Sequence, residues 1–165
     1  MADPIVESLL LSWKNNRDYA VKLVADLSDS DMVSQPVPGV TMNHPAWTLG
    51  HLSPYPPVLS AILKGEEFVD PLNSKYGRGT KPSSNRGDYP AKDALVAEYL
   101  SGHDLLGRTL EAVDPAVMSR PIPLARWKER FPKIGDAVLY LMLAHEGAHL
   151  GQISAWRRAG GRAAV

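Results

Sequence analysis

Apolar residues recur at helical spacing in four stretches of the chain, and no stretch alternates convincingly as a strand would. Ile5, Leu9, Trp13, Ala20, Leu23 and Leu27 follow one another at steps of three, four or seven, one stripe of a first helix that Asp3 can cap and Pro4 can open. Asn43-His44-Pro45 repeats that signature before a second stripe through Trp47, Thr48, His51, Tyr55, Val58, Leu59 and Ile62. Pro54, Pro56 and Pro57 interrupt this helix. An interior proline costs about 3 kcal/mol, so a kink or break is predicted between residues 52 and 57, with Pro56 in the first turn of a restart. A third helix opens at Tyr89-Pro90 and turns Leu95, Tyr99, Leu106, Leu110 and Val113 inward. The fourth covers 134–159 and stops at Gly160-Gly161, with Arg157 and Arg158 in its last turn.

The connections are long. Residues 28–41 are rich in Ser, Asp, Pro and Gly, and 114–132 carry four prolines, with short extended pieces expected in MSRPIPLARWKERF. Residues 65–89 contain SKYGRGTKPSSNRG but no helix-opening G-x-x-x-x-G-K-[ST], and read as a solvated crossover rather than a phosphate loop. The expected fold is all-α, a four-helix bundle with long crossover connections.

A length of 165 residues fits a single domain, 1–165, with a substantial core. Lys+Arg and Asp+Glu are 18 each. A formal net charge of zero removes the footprint of a nucleic-acid binder and of a polybasic membrane-surface protein. The longest apolar run, around 137–144, is too short to span a bilayer, and MADPIVESLL has no basic n-region. The expectation is a cytoplasmic protein without nucleic-acid or membrane partners. The absence of cysteine removes disulfides, thiolate metal sites and a cysteine nucleophile.

Five histidines remain as candidate chemistry: His44, His51, His103, His145 and His149. His145 and His149 lie about 40° apart on a helical wheel, on the stripe of Val138, Leu141, Met142, Gln152, Ile153 and Trp156. His51 sits mid-stripe on the second helix. One core histidine is usually structural; three pointing inward from two helices are also what a Zn, Ni, Fe or Cu site in a bundle core requires, and spacing alone leaves both open. His145-Glu146-Gly147-Ala148-His149 also matches H-E-x-x-H, the zinc-metalloprotease helix. Against that reading, residues 150–165 contain no further His, Glu or Asp. Glu146 lies about 80° from the stripe centre, toward the bundle flank.

NHPAWTLGHL at 43–52 and HEGAHLGQISAWRRAGG at 145–161 resemble the DinB-like superfamily of metal-binding four-helix bundles. The stretch KYGRGTKPSSNRGDYPAKDALVAEYLSGHD is similar to that family's crossover into helix three. The resemblance implies a metal triad of His51, His145 and His149, a divalent transition metal (commonly nickel or zinc) and often a homodimer. Some members are thiol-dependent S-transferases or isomerases that use a low-molecular-weight thiol; many have no assigned activity. The expected function is therefore a divalent-metal-binding protein that activates such a thiol and transfers it to a small-molecule substrate. A non-catalytic metal-binding or stress-related bundle is the alternative, with an H-E-x-x-H metalloprotease more remote. The proline cluster after His51 departs from a continuous second helix.

Around this triad, Gln152 is a candidate to orient His149 from one turn away. His103, Tyr55, Trp47 and Trp156 are candidates to orient ligands or line a pocket, and His44 reads as cap-region packing. Tyr140, Leu143, Gly147, Leu150, Gly151 and Ser154 form the back of the fourth helix, uncharged between Asp136 and Arg157 along that line. That face is expected to meet a second copy of the chain, or else a crossover loop of the same chain.

Overall fold

The computed structural model describes residues 4–165, at position 73 the backbone alone, so the expected Asp3 cap lies outside the described residues. Four helical rods make the fold. They are α1 (Pro4–Val24); α2 (Pro45–Leu52), continued by α3 (Tyr55–Lys64); α4 (Lys92–Ala112); and α5 (Ile134–Leu139), which passes through a π-helical segment (Tyr140–His145) into α6 (Glu146–Ala159). The chain is an all-α four-helix bundle with no strand among the described residues. An isolated antiparallel bridge joins Pro121 to Lys133, at the N-cap of α5. No described helix is long and apolar enough to cross a membrane.

The break in the second rod follows from the prolines. Ser53 N still donates to Leu49 O at 3.0 Å, closing the last turn of α2. Pro54 then caps α3 and Pro56 occupies its first turn. The donors that proline lacks thus fall where a helix leaves its N–H groups unpaired in any case. In α4, Gly102 lets the rod approach closely: a Cβ there would lie 3.3 Å from the Pro56 ring. The helix starts at Lys92, later than Tyr89-Pro90, because the backbone is still extended at Tyr89 (ψ 150°) and at Ala91 (ψ 151°), which is the N-cap.

Burial follows the predicted stripes with instructive exceptions. Leu9, Trp13, Ala20 and Leu23 of α1 are buried, but Ile5 is 70% exposed. Counting back from Trp13 at 3.6 residues per turn, the first inward position is Val6, which packs against the core. Along the fourth rod the π-helical segment inserts the equivalent of an extra residue, so one wheel cannot describe both ends. Two assignments change as a result. Glu146, expected on the flank, is 2% exposed, and Leu150, expected on the outer face, is 1% exposed within the single chain. The third connection covers part of that outer face, with Phe131 5.1 Å from the Tyr140 ring.

Two apolar clusters fill the interior. One joins Leu9, Trp13, Leu59, Leu106 and Met142 to the third connection through Trp127 and Phe131. The other joins Leu23, Trp47, Leu95, Leu150 and Trp156. His103 touches both, stacked on Trp13 of the first at 3.5 Å and 4.5 Å from the Tyr99 ring of the second.

Candidate metal centre

His51 occupies the last turn of α2, where its ring stacks on Trp47, four residues earlier, at 4.9 Å. Its Nδ1–H donates to the Tyr76 carbonyl at 2.7 Å. This bond assigns the tautomer and leaves the Nε2 lone pair free. The second connection is therefore more than a solvated crossover: Tyr76 holds His51, and Thr80 Oγ1 accepts from the Trp47 indole at 3.0 Å. His149, on α6, donates Nδ1–H to Gln152 Oε1 at 2.9 Å, and Asn43 Nδ2 donates to the same oxygen at 2.9 Å. His145, at the end of the π-helical segment, brings its Nε2 within 3.2 Å of His51 Nε2, while its Nδ1 is buried without a partner. One ring nitrogen from each of the three lies within 4.8 Å of the others.

Burial pushes all three imidazoles toward the neutral form. It acts first on His145, followed by His149, His51 and Arg130, and together they bring it down to about 3. Burial and then His51 bring His149 down to about 4, against the opposing bond to Gln152. His51 is lowered by burial against the opposing bond to Tyr76. At neutral pH the site thus offers lone pairs rather than protons, the state in which imidazole ligates. Two of the three rings have their far nitrogen committed elsewhere, and their near nitrogens converge. That donor set could hold a metal ion at the floor of the cleft.

Behind the triad lies a second polar group. Glu146 Oε1 accepts from the Tyr99 hydroxyl and lies 2.9 Å from His103 Nε2. Burial raises the Glu146 carboxyl, with His103 and Tyr99 opposing, and burial followed by the Glu146 charge raises the Tyr99 phenol. His103 also stacks on Trp13 at 3.5 Å. A cavity of about 10 Å³, room for roughly one water, is lined by Glu146, Tyr99, His103 and His145. The sequence pattern understated this group. Its available signal was Tyr99 and His103, four apart on the inner stripe of α4, two polar rings facing a core.

The other candidates separate by place. Tyr55 and Trp47 line a cleft of about 390 Å³ that opens over His51, His145 and His149. Gln152 holds His149 from the exposed side. His103 lies behind the triad, not in the cleft. Trp156 is also outside it, 1% exposed in the second cluster with its indole donating to Ser34 O at 2.8 Å. His44 caps α2, its Nδ1 accepting from Trp47 N at 3.2 Å. Glu146 does not line the cleft, and its carboxylate is occupied by Tyr99 and His103, so it is not placed as an H-E-x-x-H base would be.

The fold and the site define a class of protein: a four-helix bundle in which three histidines from two rods could hold a metal ion. The chain belongs to the DinB superfamily, whose family model matches residues 12–153. No curated protein matches it in sequence.

Proposed function

We propose that the protein is a divalent-metal-dependent transferase that activates a low-molecular-weight thiol in the cleft above His51, His145 and His149. The observation that carries this reading is the triad itself: neutral imidazoles whose nitrogens converge at the floor of a 390 Å³ cleft. His51, His145 and His149 would hold the divalent ion, whose Lewis acidity would favour the thiolate form of a bound thiol at neutral pH. The chain has no cysteine, so the sulfur comes from a small molecule. Tyr76 and Gln152 orient two of the ligands, and Trp47 and Tyr55 provide aromatic walls that limit water around the reacting atoms. The thiol proton leaves to solvent through the cleft mouth. The sulfur lone pair forms a carbon–sulfur bond while the leaving group departs with its bonding electrons.

The test is metal analysis of untagged protein purified without added metal, followed by turnover of a halide electrophile with glutathione, mycothiol and bacillithiol. One nickel or zinc per chain is expected, with product formation lost in His51→Ala. A folded His51→Ala protein with full metal content would overturn the triad. Wild type with metal but no product from any thiol would leave the non-catalytic metal-binding reading.

A further inference from the structure

The whole chain balances 18 basic against 18 acidic residues, yet the cleft over the triad does not. Arg78, Arg126 and Arg130 line it, and no carboxylate does. Arg126 is neutralised from outside the cleft by Asp70, with Nε at 2.7 and 2.9 Å from the two carboxylate oxygens. Arg130 makes no ion pair among the described residues; its guanidinium lies over the Tyr140 ring at 4.2 Å and near Phe131 at 5.3 Å. Arg78 also makes no ion pair among the described residues. The cleft therefore carries two unmatched guanidinium groups above three neutral imidazoles.

Resting on the reading of this cleft as the substrate site, we propose that it takes a small organic anion, whose carboxylate or phosphate is held by Arg78 and Arg130. Stacking on Tyr140 limits the freedom of the Arg130 fork, so less entropy is lost when it binds an oxyanion. Low-dielectric aromatic walls focus the field of both cations into the cleft. Both charges already act on the site: Arg130 bears on His145, and Arg78 on the Tyr55 hydroxyl. The aromatic walls accept the apolar body of the molecule, while the arginines select its charged end.

The experiment titrates phthalate, phenyl phosphate and neutral phthalamide into metal-free and zinc-loaded protein at low salt, by calorimetry. In both forms at least one anion should bind on the order of tenfold tighter than phthalamide, and the tighter anion identifies the oxyanion preferred. The double variant Arg78→Gln, Arg130→Gln should lose the preference while keeping its helical circular dichroism and zinc stoichiometry. Arg108→Gln, outside the cleft, should keep it. Equal binding of anions and phthalamide, no anion binding at millimolar concentration, or a preference that survives in the double variant would each overturn the proposal. If zinc fails to bind but metal-free protein still prefers an anion, the metal reading falls and the anion site stands. Stoichiometric zinc without anion preference gives the reverse.

Discussion

Acidification should destabilise the metal-free protein well before its ordinary carboxylates titrate, because the triad is held neutral. In the unfolded chain an imidazole takes up a proton near 6.5, whereas in the fold His145 resists to about 3 and His149 to about 4. Between those values the unfolded state binds more protons, so this part of the stability is complete above about pH 7 and is lost as pH falls through 6.5. At about pH 5 both rings remain neutral in the fold, and each contributes a loss of about 2 kcal/mol. Screening at the cleft mouth trims the pair to about 3 kcal/mol, still a large share of a domain's usual 5–15 kcal/mol. Burial raises the Glu146 carboxyl and so works in the opposite sense, which makes a matched control necessary. Urea denaturation followed by tryptophan fluorescence, in chelator, at about pH 7.5 and about pH 5, should be run on wild type and on the double variant His145→Leu, His149→Leu. Wild type should lose about 3 kcal/mol more than the variant across that interval. Equal losses in the two proteins would refute the assignment of neutral, buried imidazoles.

Three further outcomes follow from contacts around the same site. Gly50→Ala would put a Cβ 2.7 Å from Tyr76 Cε2; because Tyr76 is pinned by Tyr89 and Asp88 and its carbonyl orients His51, a loss of about 1–3 kcal/mol should come with weaker zinc binding, checked by urea melts and competitive chelator titration. Glu146→Leu would strand the buried Tyr99 and His103 partners and should cost about 1–3 kcal/mol, whereas Glu146→Gln keeps an acceptor and should cost less; equal stability of the two variants would count against the buried network. Gln152→Leu alters an exposed residue, so stability should change by about 0.5 kcal/mol or less. Loss of its bond to His149 should nevertheless weaken zinc binding about 10–100-fold by the same titration.

The local chemistry of the chain determined much of this protein. Helical periodicity set the four rods, the proline cluster set the break after His51, and the Gly160-Gly161 stop set the end of the last rod, because each depends on residues within one or two turns. The same short-range spacing placed His145 and His149 on neighbouring turns and marked His51 as an inward ring. Tertiary structure decided the rest. The π-helical segment rotated the end of the fourth rod, so Glu146 entered the core and Leu150 left the surface; extrapolating a single wheel across an inserted residue loses phase. Tyr76 meets His51 across 25 residues and His103 meets Glu146 across 43. The arginines of the cleft come from two crossover connections that carry no periodic signal, brought against histidines of two rods. Contacts between such distant segments are selected by how the rods pack, through the burial and pairing of polar groups that no local window contains.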